Sequence, residues 1–215
     1  IDSSIPYCFG TWSSTANMIT ARGFTAQGGT SNAAFAAGGY QPSSPNRVAC
    51  NEEFNGTAFS AGGALITARS SASGGGTQNA AIYTLGYAPP ASVACTEHYN
   101  GSSWSAANAI NNIRSESAFA GSQNSAIVMG GQPGPKSCVE GYDGTTWFNS
   151  TAMPTARSGV NLSGTQNDAI MAGGGESATS DAFAWDGIAF KKVNSITTAR
   201  FYGGVGSQGT CCVSS

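Results

Sequence analysis

The chain has 215 residues and a mass of 21.6 kDa, enough for one domain with a sizeable core. Only 9% of the residues are charged, the formal net charge is -2 and no basic run occurs, which argues against a surface that neutralises nucleic-acid phosphates. No apolar stretch reaches the roughly 18 residues of a membrane span, so none is expected.

In chain order, the first pattern is an aromatic pair five residues apart, Tyr7/Trp12. It returns as Phe54/Phe59, Tyr99/Trp104, Tyr142/Trp147 and Trp185/Phe190, and the second members are spaced by 47, 45, 43 and 43 residues. An arginine, usually after a small residue, keeps the same intervals at Arg22, Arg69, Arg114, Arg157 and Arg200. A third series, "GTSNAA", "GTQNAA", "GSQNSA" and "GTQNDA", starts at Gly29, Gly76, Gly121 and Gly164, with a degraded copy at Gly206. Independent features that share one variable spacing identify an internal repeat of about 45 residues.

Each unit reads as four short strands. In the third, "SESAFAG" and "SAIVMGG" flank the turn "SQN", and "KSCVEGYDG" and "TTWFNS" flank the turn Asp143-Gly144. Asn55-Gly56, Asn100-Gly101 and Asp186-Gly187 are the equivalent turns. Such dipeptides are hairpin signals because both central positions tolerate positive φ. No helical period is visible. Four short strands per unit of this length predict an all-β fold, a β-propeller with four-stranded blades. Complete units cover approximately 22–66, 69–111, 114–154 and 157–197, within a single domain of residues 1–215. Residues 200–215 supply the first half of another unit and residues 1–19 the second half, which predicts a five-bladed ring closed by a composite blade.

The cysteines bear on that closure. Cys8 falls in the third strand of the composite blade, and Cys211 and Cys212 in its second. Adjacent strands bring a suitable pair within disulfide reach, and consecutive residues point to opposite faces, so Cys8 is expected to pair with Cys211 or Cys212 but not both. Cys50, Cys95 and Cys138 share one repeat position and are expected to stay apart as free thiols.

Most recurrent residues read as structural. The aromatics, including Trp12, Phe59, Trp104, Trp147 and Phe190, supply area for blade-to-blade packing. Glu52, Glu97 and Glu140 share one repeat position and are potential partners for the repeated arginines, whereas Phe183 and Ile5 occupy that position in the other two units. Gln78, Asn79, Gln123, Asn124, Gln166 and Asn167 are expected to hydrogen-bond within their turns. His98 is the sole histidine, no catalytic triad can be assembled around it, and no carboxylate pair is set across a cleft, so an enzyme is not expected. Neither a metal site nor a cofactor is indicated. Binding is expected at loops that vary on a constant frame, residues 40–48, 88–94, 132–137 and 176–180, or at the mouth of the central channel. Within the loops Tyr40, Gln41, Asn46, Arg47, Pro89, Gln132, Lys136 and Glu176 are the candidate contacts.

Gly38-Gly39, Gly130-Gly131 and Gly173-Gly174, each followed by an aromatic pair, resemble the kelch repeat, although Gly86 stands alone where a pair is expected. The strings "NEEFNGTAFSAGGALITAR", "TEHYNGSSWS" and "GTQNAAIYTLG" resemble more closely the Ala/Gly/Thr-rich kelch-like repeats of tailed-phage and marine viral structural proteins. That resemblance covers nearly the whole chain. It implies a virion or extracellular location and a non-enzymatic part in host attachment, with a host surface glycan or protein as partner. A capsid or tail decoration scaffold that touches only other virion proteins is the alternative. An extracellular lectin-like module is a third reading, since Asn55, Asn100, Asn149 and Asn161 lie in glycosylation-acceptor strings.

Overall fold

The structure is a computed structural model and describes residues 14–43 and 46–202. Among these residues the fold is all-β. The first unit contains β1 (Ala26–Thr30), β2 (Ala33–Ala37), the short pair β3 (Tyr40–Gln41) and β4 (Asn46–Arg47), then β5 (Asn51–Phe54) and β6 (Phe59–Ala61). The second repeats this plan with β7 (Ser73–Thr77), β8 (Ala80–Thr84), β9 (Tyr87–Ala88), β10 (Ala91–Ser92), β11 (Thr96–Tyr99) and β12 (Trp104–Ala107). The third has β13 (Ala118–Ser122), β14 (Ser125–Met129), β15 (Val139–Tyr142) and β16 (Trp147–Asn149). The fourth has β17 (Asn161–Gly164), β18 (Ala169–Ala172), β19 (Ala182–Trp185) and β20 (Phe190–Val193). Each unit forms one four-stranded antiparallel sheet, and β3–β4 and β9–β10 are separate two-stranded hairpins.

Consecutive sheets bury their faces against each other. Strand β1 packs on β7, β7 on β13 and β13 on β17. Alternate residues of a middle strand therefore enter different cores. Ala81 and Tyr83 join Phe35, Leu65, Tyr99 and Trp104 between the first two sheets, while Ile82 joins Val128, Tyr142 and Trp147 between the second and third. Met129, Val139, Met171, Phe183 and Trp185 fill the next interface. The repeated aromatics face each other across their hairpins, with Tyr99 and Trp104 ring centroids 4.9 Å apart and those of Tyr142 and Trp147 4.7 Å apart.

Glycine appears where the next sheet leaves no room. A Cβ on Gly38, at φ +62°, would strike the Tyr83 hydroxyl and come within 2.7 Å of the Arg69 carbonyl oxygen. Leu85 holds the equivalent position beside Gly86, also at φ 62°. Its side chain packs in the same core as Val128, the smaller residue at the repeat position of Tyr83. Bulk is thus exchanged between partners, which explains the lone glycine.

Two expectations about turns are corrected. In the second hairpin of each unit only the glycine has positive φ, for example Gly101 at 91°. The preceding Asn or Asp works through its side chain: the amides of Ser102 and Ser103 donate to Asn100 Oδ1 at 3.0 and 2.9 Å. Asn55, Asp143 and Asp186 accept the corresponding pairs. This is an Asx turn, in which a short side chain replaces a main-chain acceptor.

The glutamines also act elsewhere than expected. Gln78 Nε2 donates to the carbonyl oxygens of Ala34 and Phe54, at 2.9 and 3.0 Å, in the preceding sheet. Gln123 does the same to Ala81 and Tyr99, and Gln166 to Ala126 and Tyr142. Each glutamine therefore clasps two strands of its neighbour rather than closing its own turn. Most of the composite fifth unit (residues 203–215 and 1–13), with Trp12 and the pairing of Cys8 with Cys211 or Cys212, lies outside the described residues.

Candidate functional site

Between the last strand of one sheet and the first strand of the next, the chain passes over a buried ion pair. The guanidinium of Arg69 meets the Glu97 carboxylate, and Arg22 and Arg114 meet Glu52 and Glu140 likewise. Arg69 uses its donors fully: Nε to Leu85 O at 2.8 Å, Nη1 to Thr67 O at 3.0 Å and Nη2 to Tyr83 O at 3.1 Å. Glu97 in turn accepts the amides of Ile66 and Thr67. A buried charge is tolerated only with this degree of compensation. At Glu52 burial pushes the carboxyl upward, but Arg22 and the amides of Ile19 and Thr20 outweigh it and hold the group below its ordinary value.

The fourth unit solves the same problem differently. Phe183 takes the glutamate position, yet Arg157 is not without an anion, because Asp181 Oδ2 lies 3.1 Å from Nη2. Asp181 holds the repeat position of Cys138, two residues before Phe183 and so on the same face of the segment. Lys192 shares this carboxylate at 2.9 Å and is the leading cause of its lowered pKa.

Two residues beyond each arginine the chain enters left-handed backbone conformation. Phe24, Ser71, Glu116, Gly159 and Tyr202 have φ of 56°, 52°, 57°, 57° and 53°. For four residues other than glycine this conformation is uncommon, and such strain clusters at ligand clamps and active sites. A hydrogen-bond chain holds it in place. Ser71 N donates to Phe24 O at 3.1 Å, Glu116 N to Ser71 O at 2.9 Å, Gly159 N to Glu116 O at 3.4 Å and Tyr202 N to Gly159 O at 3.2 Å. The result is a rim that steps from unit to unit through main-chain bonds.

The rim bounds a pocket of about 170 Å³, lined by these residues and their C-terminal neighbours. Below it lies a larger cavity of about 370 Å³, lined by the starts of β1, β7, β13 and β17 and the residues just before them. Thr25, Ala72, Ser117 and Val160 border both spaces. The Tyr202 hydroxyl donates to the Glu116 carboxylate, and burial together with that bond raises the phenol pKa. Phe24 and Tyr202 remain 64% and 53% exposed. Phe201 stacks edge-on against Tyr202 at 4.2 Å and lies beside Gly159.

The candidate loops flank this rim. Tyr40, Tyr87 and Gln132 bridge to Gly23, Ser70 and Ser115, each one residue before a rim position. Tyr40 and Gln41 form β3, and Asn46 and Arg47 form β4. The Arg47 guanidinium lies over the Tyr40 and Tyr87 rings at 5.2 and 4.6 Å, and its Nε reaches Ser70 Oγ at 3.3 Å. Gln132 donates to Ser158 Oγ at 2.9 Å, and the Lys136 carbonyl accepts from Arg157 N at 3.0 Å. Pro89 and Glu176 are exposed in separate loops. The structure therefore brings Tyr40 and Arg47 together with Tyr87, and leaves the other candidates in their own loops. Asn161 is buried and donates to Ala172 O, so it is no glycan acceptor in the folded chain.

Sequence reading missed Phe24, Ser71, Glu116 and Tyr202. The available signal was their constant offset of two from the arginines combined with unlike side chains. Among the described residues no group of three or more His, Cys, Asp and Glu is arranged to hold a metal ion, and no helix is long and apolar enough to cross a membrane. No family model matches the chain, and no curated protein matches it.

Proposed function

We propose that the chain is a five-bladed β-propeller whose fifth blade combines residues 200–215 with residues 1–19. Support comes from the ordered succession of β1, β7, β13 and β17, whose equivalent residues line one cavity. In this reading the propeller is a non-enzymatic attachment module of a virion or other extracellular surface, and it binds a host surface glycan or protein. The observation that carries the reading is the rim: one repeat position, fixed in backbone conformation and filled by Phe, Ser, Glu, Gly and Tyr. A constant frame that presents unlike side chains beside variable loops is the arrangement expected of a recognition surface. The kelch-like likeness to viral structural repeats supports the location.

The test is binding of the purified chain to a glycan array and to host-cell envelope fractions. Saturable binding to either supports the module. Robust polysaccharide hydrolysis by the chain overturns the non-enzymatic reading. Binding to neither, with the rim buried against other virion proteins in the assembled particle, replaces attachment by a decoration scaffold.

A further inference from the structure

We infer that the pocket enclosed by Phe24, Ser71, Glu116 and Tyr202 is a saccharide site selective for neutral sugars. The inference rests on the attachment reading and names the ligand class that its rim would take. Three features of the pocket carry it.

The first is apolar area that faces solvent at the edge of a concave space. Phe24 and Tyr202 are both more than half exposed, though each is aromatic and lies next to a cavity. The C–H face of a pyranose ring covers such aromatic surface without asking it for a hydrogen bond.

The second is the set of polar groups between the rings. The Glu116 carboxylate has two oxygens, each with capacity for more than one donor, and Tyr202 supplies one of those donors. Vicinal sugar hydroxyls can occupy the remainder. Ser71, Thr25 and Ser117 add hydroxyl-bearing residues to the same lining. A small number of polar groups on a partly apolar wall is the composition that fixes a ligand's orientation.

The third is charge. Among the described residues Glu116 is the only ionisable carboxyl in the lining, and no Lys, Arg or His contributes to it. Arg22, Arg69, Arg114 and Arg157 are turned inward to Glu52, Glu97, Glu140 and Asp181, and the exposed Arg200 is not among the described residues of the lining. A sialylated, sulfated or phosphorylated sugar would bring an anion to a site with a carboxylate and no counter-charge. A quaternary ammonium ion is the other ligand that exposed rings suit. It would leave the hydroxyls unused, and Phe201 and Tyr202 are packed edge-on against each other rather than spread around a void.

The test uses the full chain with cellotetraose, mannotetraose, galactotetraose, 3′-sialyllactose and choline as probes, followed by saturation-transfer NMR and calorimetry. At least one neutral tetrasaccharide is expected to bind. Phe24→Ala and Glu116→Gln are each expected to weaken it at least tenfold, with unchanged thermal melting. Tyr202→Phe retains the ring and serves as the gentler variant if either of the others fails to fold; it is expected to weaken binding about threefold or more by releasing Glu116 from its fixed orientation. Binding of a neutral sugar that survives all of these changes overturns the site and leaves the attachment reading standing. Tighter binding of sialyllactose or choline overturns the selectivity. No binding of any probe overturns the inference, and if array and envelope binding are absent too, the attachment reading falls with it.

Discussion

Gln78 Nε2 lies 2.9 Å from the carbonyl oxygen of Ala34, a residue of the preceding sheet. The same amide reaches Phe54 O, so one side chain ties together the second and third strands of its neighbour. Gln123→Ala, at the better-buried equivalent interface, withdraws this donor from the carbonyls of Ala81 and Tyr99. A loss of about 1–2 kcal/mol is expected in denaturant unfolding, from one side chain that makes two hydrogen bonds. An unchanged midpoint would show that solvent replaces the clasp without loss.

Removing one partner of the buried Arg69–Glu97 pair has a larger effect. Arg69→Met leaves Glu97 away from water with two amide donors but no counter-charge, and a loss of about 3–5 kcal/mol is expected. The double variant Arg69→Met/Glu97→Leu is expected to lose less than the sum of the single changes. Double-mutant cycles by chemical denaturation measure this, and additivity would contradict a coupled pair.

The acid limb of stability has a defined sign. The Glu52 carboxyl is held below its ordinary value of 4.5 in the folded chain. Its contribution is therefore present above that ordinary value and is lost as the pH falls toward the lower folded value. Glu52→Gln is expected to be less stable at neutral pH and to show a shallower decline below about pH 5. Urea midpoints measured from pH 7 to pH 3 for both proteins check the difference; parallel curves would exclude the linkage.

Gly38→Ala is expected to destabilise by about 1–3 kcal/mol, the usual range for forcing extra atoms into a packed contact. Part of the loss reflects the left-handed backbone at φ +62° and part the collision with Tyr83. Combined with Tyr83→Val, which imitates the Leu85 and Val128 arrangement, the alanine is expected to be better tolerated than in the presence of Tyr83. Thermal melts of the four proteins of the cycle provide the measurement, and a coupling of zero would locate the whole effect in the backbone.

How much of this was legible depends on where the physical partner sits. The four-stranded units could be read because Arg69 and Trp104 recur at the spacing of their neighbours, and spacing is what sequence displays directly. The Gln78 clasp could not, because its partners are main-chain carbonyls of another unit, and every residue type carries the same carbonyl. Asp181 was readable in principle. It replaces a cysteine two residues before Phe183, but a search confined to the glutamate position passes over it. Phe24, Ser71, Glu116 and Tyr202 were hidden for the opposite reason: they differ, and repeat analysis registers sameness. Only the common φ near 55° shows that they do one structural job.

The rim bonds join amide to carbonyl and involve no side chain at any of their positions. Phe, Ser, Glu, Gly and Tyr all stand in that geometry within this one chain. Architecture and chemistry are therefore largely separable there: the main-chain bonds set where a group is presented, and the Tyr202–Glu116 side-chain bond is added on that frame. Such a rim is an exchangeable palette. New side chains can be tried one unit at a time, each bordered by neighbours whose backbone positions do not depend on the choice, and a change of ligand need not be accompanied by a change of fold.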